Sequence, residues 1–378
     1  MGPLAGTKIV EFTGIGPAPL AAMLLADMGA TVLRIDRTAA SDLGIPMDED
    51  HEFTRRSRAV LHLDLKQRKA VETALTLIDG ADALIEGFRP GVMERLGLGP
   101  DVCLQRNPKL AYGRVTGWGQ EGPLSQAAGH DLNYIALTGA LHAIGRVGQK
   151  PTPPLNLVGD YGGGALYLVT GLLAAIISAR AAGVGQVVDA AMVDGALSLM
   201  TPIYAMAAGG RMPGARGENQ LDSGSYYYEV YECSDGQYIS VAPIEVKFHE
   251  ELLRRLEIDP AGMPAQRDRS GWPRWKALLA ERFLTRTRDD WCRILEGTDA
   301  CFAPVLSMAE AHAHPHNQAR GAFIEVGGHR QPAPAPRFGT TSLATPRPPG
   351  SVPLAEALAA WNLSPETVGA ESYANGND

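Results

Sequence analysis

The sequence predicts an α/β protein built on a largely parallel sheet, followed by a smaller α+β portion. Three observations carry that expectation. Short apolar runs of strand length alternate with helix-length stretches from residue 8 to residue 191. A Gly-rich turn joins the first run to a helix, and Ser234-Asp235-Gly236 separates two strand-like runs later in the chain.

Residues 8–12 form the first predicted strand, then Gly14-Ile15-Gly16-Pro17-Ala18-Pro19 leads into an apolar helix over 20–28. A second strand over 31–35 ends at Asp36-Arg37. This strand–turn–helix–strand order, with an acid after the second strand, is that of a Rossmann-like unit. A dinucleotide site is disfavoured, because Pro19 replaces the third glycine of GxGxxG and a proline early in a helix is explained by its fixed φ. Further strands are expected over 59–65, 81–85 and 110–115, with helices such as 67–78 between them. The apolar run 165–177 is interrupted by Thr170 and Gly171 and ends before Ser178 and Arg180, so it reads as a buried helix rather than a membrane span. Residues 185–191 begin a new strand and lead to a helix over 192–210, on which Met192, Met200 and Met206 share a broad arc. They read either as core filler or as a soft wall for differing acyl chains. After a Gly-rich loop over 209–217, residues 226–233 and 237–241 are the arms of a hairpin. Glu245 opens an amphipathic helix over 246–256, where a first-turn acid suits the helix dipole. Residues 272–295 are helical, placing Phe283, Trp291 and Leu295 in a small second core. The proline-rich stretch 330–350 reads as an extended connector and 352–363 as a terminal helix.

At 378 residues, 45% hydrophobic and 20% charged, the chain has room for two domains and the balance of a globular enzyme. A net charge of −8 argues against nucleic-acid and membrane-surface partners. Cys103, Cys233, Cys292 and Cys301 lie far apart without CxxC spacing, as expected of reduced thiols. Residues 1–6 have no leader character and 375–378 no targeting tripeptide, so a cytoplasmic location is expected. His312, His314 and His316 have HxHxH spacing, but Pro315 interrupts any strand and no acid or cysteine stands beside them, so no metal is expected. Arg37, Arg55, Arg56, Arg58, Lys66, Arg68 and Lys69 cluster in sequence, with Arg89 and Arg95 following. They read as a solvated face, or, on loops after strands, as a clamp for a phosphorylated substrate.

The chemistry concentrates between residues 129 and 164. This stretch opens with Gly129-His130-Asp131-Leu132-Asn133-Tyr134 and closes with Asn156 followed by Leu157-Val158-Gly159-Asp160-Tyr161 and three glycines. His130 and Asp160 each stand where a loop meets a helix, and both can carry a proton. Taken singly, His130 reads as a core histidine and Asp160 as an N-cap.

Together with Gly14-Ile15-Gly16-Pro17, Ala26-Asp27-Met28-Gly29-Ala30, Gly87-Phe88-Arg89-Pro90-Gly91 and Thr116-Gly117-Trp118-Gly119-Gln120, these motifs resemble the class III CoA-transferase (carnitine dehydratase-like) family. The set His130, Asp160 and Glu245 resembles in particular its 2-methylacyl-CoA racemase branch. The resemblance implies a large Rossmann-like domain built from both chain ends (1–188 and 331–378), linkers over 189–226 and 304–330, and a small domain over 227–303. It also implies an interlocked homodimer whose site lies between the large domain of one subunit and the small domain of the other. Substrate and CoA contacts carry over to Arg37, Leu63, Asp64, Leu65, Lys66, Gly87, Phe88, Arg89, Arg95, Gly129, Asp131, Leu132, Asn133, Tyr134 and Asn156. No separate cofactor is implied, since CoA is part of the substrate.

The implied reaction in fatty-acid metabolism interconverts (2R)- and (2S)-2-methylacyl-CoA thioesters. An acyl-CoA α-carbon is a weak acid, so its proton leaves only to a well-placed base while donors stabilise the enolate. Inversion needs a second group to return a proton on the opposite face. His130 and Asp160 supply the pair, one neutral and one protonated, and Glu245 orients the imidazole. Two rivals remain: a CoA-transferase in which Asp160 is a nucleophile, and a non-catalytic acyl-CoA binding protein.

Overall fold

In the computed structural model, residues 2–39 and 44–368 are described; the 375–378 stretch read for targeting lies outside them. Six strands, Lys8–Phe12 (β1), Thr31–Asp36 (β2), Ala59–His62 (β3), Ala83–Glu86 (β4), Ala111–Thr116 (β5) and Gln186–Ala191 (β6), form one sheet in the order β3-β2-β1-β4-β5-β6. Every neighbouring pair is parallel. That arrangement follows from the sequence, because strands covered on both faces read as near-continuous apolar runs. Val10, Leu33, Leu84 and Tyr112 face the helix Arg68–Asp79 on one side. Ile9, Val32, Ala83 and Ala111 face the helices Pro17–Asp27 and Leu166–Ala182 on the other. The third predicted strand stops at His62, three residues early.

Contact within the chain separates two compact units. The first comprises the residues up to Thr138, Leu155–Leu199 and the described residues from Gly321 onward; the second comprises Gly139–Pro154 and Met200–Arg320. The C-terminal stretch docks on the first unit: Trp361 Nε1 donates to the Leu77 carbonyl at 2.8 Å. The Ser57 N–H donates to the Arg347 carbonyl at 2.9 Å, and the Arg347 N–H to Ser57 Oγ at 3.0 Å. The expected connector over 330–350 begins inside a strand. His329–Pro332 pairs antiparallel with Phe323–Val326 across a Gly327-Gly328 turn in which both φ are positive. The terminal helix is shorter than expected, Leu354–Ala359.

The clustered arginines divide. Arg58 and Glu11 form a 2.8 Å ion pair with both side chains fully buried. Arg56 donates to Asp27 Oδ1 at 3.1 Å, to Gln331 Oε1 at 2.8 Å and to the Pro332 carbonyl at 2.9 Å, all beneath the surface. A phosphate clamp including Arg56 and Arg58 is therefore excluded, because their guanidinium groups are spent on internal acids and carbonyls.

The second unit carries Glu229–Glu232 (β7), Tyr238–Val241 (β8) and Phe302–Pro304 (β9), antiparallel in that order, with Gly236 at φ 73° in the turn. The helical stretch expected over 272–295 is two helices, Trp272–Phe283 and Arg288–Leu295. Thr287 starts the second: its Oγ1 accepts the Asp290 N–H at 3.2 Å, which caps a new helix rather than continuing the old one. The helix expected over 192–210 also breaks, into Met192–Leu199 and Thr201–Ala208, because Pro202 lacks the N–H needed to continue a helical ladder. The single methionine arc is thus not formed. Met192 is buried in the core of the first unit, whereas Met200 and Met206 line a cavity of about 160 Å³ with Ile203 and Met212 in the second.

His249 sits in the aromatic core of the second unit, 6% exposed, its Nε2 2.7 Å from the Tyr226 hydroxyl and its ring edge-on to Trp275. Burial pushes its pKa down to about 4. The folded value lies below the unfolded one, so the stability gained by keeping the ring neutral is complete above the ordinary value and lost as pH falls through about 4. Thermal melts between pH 7 and pH 4 should show wild-type protein losing on the order of 3 kcal/mol more than His249→Gln. Parallel curves for the two proteins would contradict this.

Candidate active site

β1 and β4 lie side by side, yet the chain leaves them toward opposite halves of the sheet. The loops after them diverge, and the crevice above their carboxyl ends is where open α/β sheets take ligands. The loop after β1 turns through Gly16 at φ 67° into the Pro17–Asp27 helix, with Pro17 at its first position and Pro19 at its third. Asp160 stands directly over this turn, since a Cβ on Gly16 would lie 3.2 Å from Asp160 Oδ2.

Asp160 is held in a widened, π-helical turn, Leu157–Ala165, that runs into the Leu166–Ala182 helix. The Tyr161 N–H donates to the Asn156 carbonyl at 3.3 Å, five residues back, which is the bond that defines such a coil. Asn156 Nδ2 in turn donates to Asp160 Oδ2 at 3.2 Å. The 26-residue run Leu157–Ala182 is long and apolar enough to cross a membrane by length and composition alone; Leu168, Leu172 and Ile176 on it are buried in the core of the first unit.

His130 is the N-cap of the helix Asp131–Ala136, exposed, with extended backbone (φ −132°, ψ 174°). Its N–H donates to Asn133 Oδ1 at 3.1 Å. The helix is seated by Tyr134, whose ring meets Trp118 edge-on at 4.8 Å and lies over Gly117, where a Cβ would fall 2.0 Å from the ring. The Tyr134 hydroxyl donates to the Gly129 carbonyl and so closes the loop that precedes His130. Asp131 turns inward. Its Oδ2 accepts the Gly159 N–H at 2.6 Å and the Asp160 N–H at 2.7 Å. The two candidate proton carriers, distant in sequence, are joined through this one carboxylate.

Burial raises the Asp160 carboxyl above the ordinary carboxylate range. The Asn156 hydrogen bond opposes that, the Asp131 charge adds to it, and the His130 charge opposes it. The net result is a carboxyl less acidic than an ordinary one, tied through Asp131 to the helix that His130 caps, and perturbed acidity of this kind in a crevice marks a candidate proton-transfer group.

Residues 4–354 match the model of CoA-transferase family III. The chain belongs to that family. Among curated members it is 41% identical to the alpha-methylacyl-CoA racemase of Mus musculus, over 88% of this chain and 85% of that one. It is 40% identical to the alpha-methylacyl-CoA racemase of Homo sapiens, over 88% and 86%. A CAIB/BAIF family protein from Brucella suis has a similar structure, with a TM-score of 0.79 at 25% identity over 96% of this chain and 98% of that one.

The remaining positions that the resemblance assigns to CoA lie in this family III chain as follows. Arg37 follows β2, Lys66 follows β3 and Arg89 follows β4, so all three stand at the carboxyl edge of the sheet; they and Arg95 are exposed and make no ion pair among the described residues. Glu86 Oε2 accepts the Phe88 N–H at 2.7 Å and shapes the Gly87-Phe88-Arg89 turn. Leu63 is buried in the core, Leu65 and Phe88 pack partly against it, and Asp64 accepts the Lys66 N–H at 3.1 Å. Leu132 and Asn133 are exposed on the His130 side, and Gly129 is half-buried. Glu245 is the N-cap of the helix Val246–Arg255 in the second unit, its carbonyl accepting the His249 N–H at 3.0 Å. His314 has an acidic partner that its sequence neighbours do not supply: its Nε2 lies 2.8 Å from Glu296 Oε1. Sequence reasoning missed the inward turn of Asp131 and the Asn156–Asp160 bond. The second had a signal, an amide four residues before an acid at the entry to a helix.

Proposed function

We propose that this protein interconverts (2R)- and (2S)-2-methylacyl-CoA thioesters by moving the α-proton between two bases. One observation carries the reading: Asp160, its acidity suppressed mainly by burial, is tied through Asp131 to the helix that His130 caps, over the crevice between β1 and β4. In one direction His130 takes the α-proton as its electron pair moves into the thioester, leaving an enolate. Asp160 then returns its own proton to the opposite face of the carbon, and the reverse reaction exchanges the roles. The first-turn N–H groups of Asp131 and Leu132 have no intrahelical acceptor and are suited to the enolate oxygen. Glu245, supplied across the interface of a homodimer, orients the His130 ring, and Arg37, Lys66, Arg89 and Arg95 bind the CoA phosphates. The names of the mouse and human relatives favour this reading over acyl transfer.

The direct test is α-proton exchange in D2O with each epimer of a 2-methylacyl-CoA, followed by NMR. Deuterium incorporation with inversion of both epimers is expected; binding without exchange would make the protein a carrier. Incubation with acyl-CoA and hydroxylamine examines the transferase reading, because an acyl or CoA adduct on Asp160 would be trapped.

Arg37→Ala and Arg95→Ala should each raise KM for acyl-CoA about three- to tenfold and leave kcat nearly unchanged, since phosphates remote from the reacting carbon contribute uniform binding. Unaltered KM in both variants would remove them from the CoA site. We also propose a cytoplasmic homodimer. The exposed apolar side chains Leu166 and Ile177 on the Leu166–Ala182 helix support a second copy covering that face. Sedimentation of a fully active monomer would end that idea.

A further inference from the structure

Asp131 is the first residue of the Asp131–Ala136 helix and directly follows His130. A side chain at that position normally reaches water. Here it is 4% exposed, and Oδ2 takes two charge-assisted hydrogen bonds, from the N–H groups of Gly159 at 2.6 Å and Asp160 at 2.7 Å. Those N–H groups lie in the first turn of the Leu157–Ala165 coil, where no earlier carbonyl of the coil can reach them. The other oxygen, Oδ1, is buried without a partner among the described residues. A half-bonded buried carboxylate carries a desolvation cost that a serine or asparagine cap avoids, so capping alone does not explain this residue. Gly159 completes the fit, because a Cβ there would lie 2.6 Å from Asp131 Oδ2 and 3.1 Å from Ile135 Cγ2.

We propose that Asp131 is a positioning residue: its carboxylate clamps the backbone at Asp160 to the helix that His130 caps, holding the two proton-transferring groups at a fixed separation through turnover. This rests on His130 and Asp160 being the two bases. It differs from a CoA contact, which would need the carboxylate turned to solvent. The charge of Asp131 also acts on Asp160, adding to the burial that raises its carboxyl above the ordinary range. The other groups that bear on Asp160 are His130 and Tyr134 from the same helix and Asn156 from its own coil; the Pro17–Asp27 helix presents the uncharged Gly16.

Asp131→Ala should lower kcat for inversion about 100-fold and change KM for acyl-CoA less than about twofold. Asp131→Asn keeps an acceptor oxygen and should recover at least about tenfold of that loss. Its pH–rate limb for Asp160 should move to lower pH, as removal of a neighbouring negative charge requires. Gly159→Ala should resemble Asp131→Ala, and the double variant should be little worse than either single one. Amide exchange reads the clamp without reference to any reaction. The N–H groups of Gly159 and Asp160 should be protected in wild type and in Asp131→Asn, and lose protection in Asp131→Ala.

Wild-type kcat in Asp131→Ala, or a raised KM with kcat intact, overturns the proposal and returns Asp131 to CoA binding. Unchanged amide exchange in Asp131→Ala overturns the clamp by itself. If Asp131→Ala does not fold, the pH profile of Asp131→Asn decides, an unmoved limb counting against the proposal. Wild-type protein that inverts neither epimer defeats the racemase reading first, and the amide exchange then still reports on the clamp.

Discussion

His130→Ala should abolish interconversion of the two epimers, a loss of at least about 10³-fold, while α-proton exchange persists weakly from the epimer whose proton faces Asp160. Asp160→Asn should show the converse preference. The asymmetry follows from the proposed two-base mechanism, in which each group serves one face of the carbon; the two are borne on different elements, the cap of one helix and the π-helical entry of another. Removing either leaves the other able to take and return a proton on its own side. Glu245→Gln should be milder, about tenfold, because the proposed role of Glu245 is to orient the His130 ring, and the variant leaves that ring in place. An Asp160→Asn variant that inverts both epimers near the wild-type rate would defeat the two-base mechanism and call for a one-base or transferase account.

Arg58→Ala should be the most damaging substitution for stability, costing about 3–5 kcal/mol at neutral pH, because it strands Glu11 in the interior with its partner removed. Burial is the dominant influence on both groups, holding Glu11 above its ordinary value and Arg58 down to about 10. The loss should shrink at low pH. A carboxyl raised in the folded state favours folding while protonated, so acid relieves the charge that the variant leaves uncompensated. Replacing both partners, Glu11→Leu with Arg58→Met, should be less harmful than Arg58→Ala alone. Urea denaturation of the three proteins at pH 7 and pH 5 measures this. A single variant within about 1 kcal/mol of wild type would mean that the pair contributes little.

The parallel sheet was readable because its strands are apolar on both faces and separated by helices of the right length. Period and composition carry that much for β1, β2, β4 and β5. What stayed hidden was pairing between distant residues. Arg56 and Arg58 look like surface arginines in sequence, and only the fold brings Asp27, Gln331 and Glu11 against them. Helix breaks were misjudged where one residue overrides a continuous pattern: Pro202 by its missing N–H, Thr287 by capping. In the site, His130 and Asp160 were legible by residue type and motif, whereas the Asp131 carboxylate was not. Sequence gives its neighbour, His130, but not the inward rotamer that reaches Gly159 and Asp160.

Pro17 and Pro19 give the glycine turn after β1 a further meaning. In this sheet topology the helix that starts there ordinarily presents a crown of backbone donors to a pyrophosphate. Two of the four N–H groups that would form that crown do not exist in this chain, because positions 17 and 19 are imino acids. This turn therefore has the shape of a nucleotide-binding turn with fewer backbone donors to offer an anion, which leaves phosphate binding to side chains elsewhere on the sheet edge. A carboxyl group resting on that turn, as Asp160 does, meets fewer donors than such a helix start usually offers.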